Sequence, residues 1–249
     1  MSETKKHFKD LIIISAKFFL KQFQPMFTIS LFFIVPLLAA DYFLWSNAPL
    51  IQHIVLKHSP EVFYLIDNLV ILAIFFVFCL FMIALVRLID RADKGGRLPS
   101  ALSIYWEAVF YFPVFMAVNV VYFCRVLLWA LLLVLPGIYF ASLYSYAPMA
   151  VLVDGKNWQE AFVFSQKIVK PHFIKYLDHL FFMLILLLII CYPMIYVLDV
   201  WIDVAVARGF WWLAQVIDYA EIIFLCCAFM FLTVFVYQYY QELKRRTAV

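Results

Sequence analysis

From Ile104 to Val153 the chain runs for 50 residues with only two charged side chains, Glu107 and Arg125. A water-soluble domain has no interior large enough to hide such a run. A membrane-spanning helix needs about 20 apolar residues at about 1.5 Å each, so this one stretch is long enough to cross a bilayer twice. Four further stretches meet the same length: Phe27–Trp45, Val62–Leu88, Phe173–Leu198 and Ala220–Tyr239. Pro25 stands just before the first, where a helix start tolerates proline. The pattern therefore predicts an all-α integral membrane protein with six transmembrane helices, at about 27–45, 62–88, 104–122, 126–153, 173–198 and 220–239. The turn between the third and fourth is expected at Asn119 or at Cys124-Arg125, the only polar breaks on offer.

Composition closes off the other classes. The 249 residues are 67% hydrophobic, 20% aromatic and only 14% charged, with a mean hydropathy of +0.98. Soluble domains carry about 25% charged residues. Five glycines and no GxGxxG or Walker A pattern leave no nucleotide-phosphate loop. A net charge of +3 is too small to suggest nucleic acid. The five cysteines all lie within apolar runs and form no CxxC pair, which fits soft packing residues. No small-residue cleavage site follows the first apolar run, so the basic start MSETKKHFKD reads as retained.

The distribution of charge sets the orientation. With both termini on the cytoplasmic side, inner segments hold 16 of the 19 basic residues and 9 of the 16 acids, a net +7. Outer loops keep Lys57, Arg125 and Arg208 against seven acids, a net −4. This is the Lys/Arg bias expected of cytoplasmic loops. It places both ends of a multi-pass membrane protein on the cytoplasmic side.

Two amphipathic segments are expected at the interface. Over residues 4–23, Phe8, Ile12, Ala16, Phe19 and Phe23 share a helix face, while Lys5, Lys9, Lys17 and Lys21 lie off it. A basic amphipathic helix of this kind rests on an anionic leaflet. Residues 158–169 form the second, introduced by Asn157 with Glu160 three residues on, a capping-box spacing. Trp158, Ala161, Phe162, Ser165 and Ile168 make its inward face, Lys167 anchors it, and Pro171 stops it.

Within the fourth span, Pro136 is expected near mid-membrane, where it would remove a ladder hydrogen bond and kink the helix. Gly137, Ala141 and Ser145 recur every four residues, a ridge of small residues that lets helices approach closely in lipid. Pro148 is a second interruption. The plain reading is close packing around a kink. The functional alternative is a hinge, or a small polar cavity lined by Tyr139, Ser142, Ser145 and Tyr146. Asp67 with Asn68, Glu107 and Asn119 are the acids and amides singled out within spans, and the charged ones lie within snorkelling reach of an interface. His53, His58 and Glu61 on one side, and His172, Lys175, Tyr176 and His179 on the other, match no metal motif and read as ordinary interfacial residues. No nucleophile elbow, kinase set or facing carboxylate pair points to catalysis, and no cofactor is expected.

The run LLLVLPGIYFASLYSYAPMAVLVDGKNWQEAFVFSQKIVKPHF resembles the YciC-type family of uncharacterised bacterial inner-membrane proteins. It is also similar to the membrane domain attached to some glycerophosphodiesterases. The shared pattern falls on Pro136-Gly137-Ile138, Ala147-Pro148, Asp154-Gly155, and Ala161 with Ser165. The N-terminal FFLKQFQPMFTISL and the C-terminal VFVYQYYQELKRR look like the family's two ends. The resemblance implies a six-helix inner-membrane fold with cytoplasmic termini, and transfers no catalytic residues. The expected role is non-enzymatic: support of envelope organisation by binding membrane lipids or a partner membrane protein. A transporter or flippase of a lipid or small amphipathic solute is the alternative, although no inverted repeat is visible.

Overall fold

The structure, a computed structural model, describes residues 2–46, 60–96 and 98–247. Every regular element among them is helical. In chain order these are α1 (Ser2–Lys21), α2 (Phe23–Ser46), α3 (Pro60–Asp93), α4 (Ala101–Leu132), α5 (Val134–Tyr144), α6 (Ala147–Asp154), α7 (Trp158–Val169), a 3-10 turn (Lys170–His172), α8 (Phe173–Ala207) and α9 (Trp211–Arg246). Among the described residues, five helical stretches are long and apolar enough to cross a membrane, in α2, α3, α4, the run from α7 through α8, and α9, as befits a multi-pass membrane protein.

The expected fourth span, 126–153, is not one helix. Helix α4 continues unbroken through Asn119, Cys124 and Arg125, and the turn falls at Leu133, whose backbone is extended at φ −160° and ψ 140°. Inside an apolar layer a lone amide or guanidinium is no reason to leave the helix, because leaving it frees backbone groups with no water to satisfy them. Asn119 instead donates from its side chain to the Phe115 carbonyl at 2.8 Å. Beyond the turn the chain divides into α5 and α6, eleven and eight residues long.

Pro136 does not kink mid-helix. It stands third in α5, where a backbone N–H would have no intrahelical partner, and the first ladder bond runs from Gly137 N–H to the Leu133 carbonyl at 3.2 Å. The interruption comes from Pro148. A proline ring clashes with the carbonyl four residues back, here Tyr144, and α5 ends at that residue. Pro148 then sits in the first turn of α6, where it costs no donor. Gly155 closes α6 at φ +63°, a left-handed position that glycine alone takes freely, and Lys156 N–H reaches back to the Ala150 carbonyl at 3.3 Å.

Helix α7 begins at Asn157, whose side chain accepts from Glu160 N–H at 2.9 Å. Its buried face is Ala161, Phe162, Phe164, Ser165, Ile168 and Val169. Trp158, expected inward, is exposed, and Phe164 takes the inner place. On α1, Leu11 and Ser15 are the buried positions, with Phe8, Ile12, Phe18 and Phe19 half-buried beside them, so the packed face is rotated slightly from the expected one. Lys9, Lys17 and Lys21 are exposed. Lys5 lies on the α1 backbone, its side chain outside the described atoms, as are those of Glu61 and Asp67. His53 and His58 lie outside the described residues altogether.

Burial is concentrated at one end. On α3 the buried side chains start at Cys79, on α8 most fall between Tyr176 and Met183, and on α9 most lie between Cys226 and Leu243. This end carries Arg87, Arg91, Lys94, Lys156, Lys175 and Lys244, and is called the basic end. The opposite half exposes large apolar residues such as Leu72, Phe75, Leu188, Ile190, Val197 and Trp201, a surface suited to lipid.

Candidate functional site

At the basic end four helices are tied by charge. Glu107 on α4 accepts from Arg87 Nε at 2.8 Å and pairs with Arg91 Nη2 at 2.5 Å, both arginines being on α3. Arg87 also donates from Nη1 to the Leu152 carbonyl at 2.7 Å, capping the end of α6. Asp154, at the end of α6, pairs with Lys244 and accepts from the Tyr240 hydroxyl, both on α9. Tyr237 donates to Asp90 at 3.1 Å and to Asp93 at 3.2 Å on α3. The sequence suggested that Glu107 merely snorkels, whereas two arginines hold it. The spacing of Arg87 and Arg91 by four residues, which puts both on one helix face, is the signal that could have found them.

Beneath this ion layer lies a cluster of tyrosines. The Tyr146 ring packs against Tyr176 and Tyr240, with centroids 5.7 and 5.4 Å apart. Tyr176 stacks on Tyr239 at 6.1 Å and donates to Ser145 Oγ at 3.0 Å. His179 also stacks on Tyr239, at 4.9 Å, and its Nδ1 lies 2.6 Å from the Lys175 carbonyl. Phe8 of α1 covers His179 edge-on, which docks α1 against this layer.

The tyrosines form the floor of a slot between α8 and α9 with a volume of about 120 Å³. Tyr146, Tyr176, Met183, Phe235 and Tyr239 give it a buried wall, while Leu180 and Leu184 are 49% and 57% exposed and leave it open sideways. Its walls are almost wholly apolar.

Of the residues expected around a polar cavity, Tyr146 alone lines this slot. Tyr139 packs on Phe140 and Phe173, and Ser142 turns back to the Ile138 carbonyl at 2.9 Å. Ser145 Oγ donates to the Ser142 carbonyl at 2.8 Å. Gly137 and Ala141 face α4: a Cβ at Gly137 would lie 2.9 Å from Ala130, and the Ala141 carbonyl accepts from Tyr122 at 3.3 Å. Lys167 and Trp158 are exposed on the outer face of α7.

Arg125, expected in an outer loop, stacks over Phe162 of α7 at 4.6 Å and over Tyr144 at 5.3 Å. It therefore shares the level of α7, whose exposed face mixes Gln159, Glu160 and Lys167 with Trp158 and Val163, and not that of the α8–α9 turn. Among the described residues, no three His, Cys, Asp or Glu side chains come together as a metal site would need. No protein-family model matches the chain, and neither does any curated protein or solved structure.

Proposed function

We propose that this chain is a non-enzymatic, YciC-type protein of the bacterial inner membrane, which supports envelope organisation by binding lipid or a partner membrane protein. The observation that carries this reading is an asymmetry. Charged groups at the basic end are spent on ties between helices, while the slot and the opposite half present apolar surface to their surroundings. Surface of that kind selects partners by shape and depth.

The Lys/Arg bias supports a cytoplasmic basic end with both termini there, α1 and α7 lying along that face. Of the six crossings expected from the sequence, we retain α2, α3, α8 and α9. We read α4 and α5 as a steeply tilted hairpin that turns back at Leu133 within the apolar layer. Two features support this: Arg125 at the level of α7, and a tip of five apolar residues, Leu131 to Leu135. A re-entrant hairpin and a pair of full crossings leave the termini on the same side, and the hairpin moves Arg125 from the outer count to the inner one, in the direction of the same bias.

Native mass spectrometry after mild extraction, combined with cross-linking in cells, tests the function. Retained lipid or a recurring partner is the expected result, and finding neither overturns it. A second reading, a translocator of lipid or amphiphile, draws on the break at Ser145-Tyr146 beside the slot. Flux of labelled lipid in reconstituted vesicles that changes in Pro148→Ala would favour it.

A further inference from the structure

Two helical stripes converge on the slot, and each ends in a basic residue. On α8 the lining residues Tyr176, Leu180, Leu184 and Leu187 follow one another at helical spacing, and His172 lies one turn before them. On α9 the stripe is Leu232, Val236 and Tyr239, continued by Leu243 and then Arg246 at spacings of four, three, four and three. These stripes bring His172 and Arg246 together at the basic end. Burial, with the positive charges of Arg246 and Lys175, pushes the His172 imidazole below its ordinary pKa. An anion placed beside Arg246 and Lys175 would gain from both charges and accept a hydrogen bond from the His172 ring. The acids nearby are Glu242, which takes the Arg246 Nε–H at 2.8 Å, and Asp178, which faces Tyr239. Lys170 and Arg245, both exposed, add further positive charge at the same end.

Apolar slot and cationic crown are matched in order along the membrane normal. The slot reaches from Tyr176 to Leu187, about 16 Å of helix, which lies at acyl-chain depth. The crown lies where head groups lie, and the exposed Leu180 and Leu184 leave a lateral entrance from the lipid phase. We propose that the slot is the acyl-chain half of a binding site for one anionic phospholipid, whose phosphate rests against His172, Lys175 and Arg246. The proposal deepens the lipid-binding reading of the protein and rests on it. A zwitterionic lipid fills the slot equally well but brings a compensating cation to the crown, so it binds less tightly.

The test uses the full chain in mild detergent, titrated with phosphatidylglycerol or phosphatidylcholine and read by native mass spectrometry. The wild type is expected to keep one phosphatidylglycerol about tenfold or more tightly than phosphatidylcholine, the scale of a charge-assisted hydrogen bond or two. Leu184→Trp, which fills the slot from an exposed position, should lose that copy. The double variant His172→Gln, Arg246→Gln should hold both lipids equally. Arg208→Gln, a charge change in the exposed α8–α9 turn at the opposite end, should behave as wild type. Helix content and thermal unfolding confirm that each variant is folded. Equal retention of the two lipids by the wild type overturns the proposal, as does an unchanged preference in either site variant. Should the wild type keep no lipid of either kind, the broader lipid-binding reading falls with it. Retention that the site variants leave unmoved removes this site alone.

Discussion

The Ser165 hydroxyl occupies the gap in the backbone at Tyr146. It accepts from Tyr146 N–H at 3.2 Å and donates to the Leu143 carbonyl at 2.6 Å. Both backbone groups lost their helical partners when Pro148 ended α5, and both are buried where water cannot replace them. One side chain from α7 therefore makes the broken α5–α6 segment tolerable and fixes α7 against it. This gives the Ala161-x-x-x-Ser165 spacing a physical meaning: alanine lets the helices approach, and serine four residues on bonds to the break.

Removing that hydroxyl strands both groups. Ser165→Ala is expected to destabilise the protein by about 1–3 kcal/mol, the usual cost of buried polar groups left unsatisfied. Unfolding in a titration of denaturing detergent measures it. Combining it with Pro148→Ala, which can restore the ladder, should cost less than the two changes separately. Strict additivity would mean that Ser165 does not serve the break.

Gly137 faces Ala130 across the α4–α5 hairpin with no room for a methyl group. A Cβ there would come within 2.9 Å of both Ala130 Cα and Cβ, a clash with backbone and not with a flexible side-chain end. Gly137→Ala is thus expected to cost about 1–3 kcal/mol by overpacking, despite alanine's better helix propensity. Ala130→Gly in the same chain should recover part of the loss. A stabilised single variant in the same titration would show that the hairpin is looser than its geometry.

Glu107 is the shared partner of Arg87 and Arg91, with the Arg87 and Glu107 side chains 15% and 19% exposed. Glu107→Gln leaves two cations facing each other at the joint of α3 and α4. A loss of about 2 kcal/mol is expected, below the figure for a fully buried pair because solvent reaches the edge of this one. The coupling should show in a double-mutant cycle with Arg87→Gln. A coupling energy near zero would assign the ion layer no role in holding the bundle.

Much of this architecture was legible in the residues. The surface helix over 158–169 can be read from Asn157, Glu160 and an apolar spacing of three and four, and its bounds need only local chemistry. The mismatch lies where lipid inverts the usual punctuation. In water, Asn119 or Arg125 would be a natural place to turn. In an apolar layer the helix keeps its own hydrogen bonds, and Leu133 turns instead, close to a proline that needs no donor. Pro136 and Pro148 looked alike, and their difference lies in position: the first opens a helix, the second closes the one before it. The slot was hidden for another reason. Tyr146, Tyr176 and Tyr239 stand far apart in the chain, and only the packing of α8 on α9 brings them together. Of the three, the sequence had marked Tyr146 for a cavity, but a polar one.

The tip of the α4–α5 hairpin is where a re-entrant loop and two full crossings predict different surroundings. Leu131, Leu133, Val134 and Leu135 are 77, 67, 70 and 80% exposed, and no polar residue stands among them. A hairpin that crossed fully would hold these side chains in water beyond the far head groups. At about 25 cal/mol per Å² of apolar surface, several kcal/mol favour keeping them in lipid. Leu133→Cys in a chain otherwise freed of cysteine is therefore expected to resist a membrane-impermeant thiol reagent from either side of sealed vesicles, and to react once detergent is added. A cysteine at Arg208, in the α8–α9 turn, should react from the side opposite to one at Lys156. Labelling of Leu133→Cys from the Arg208 side would show that α4 crosses completely and that α5 and α6 together make the return.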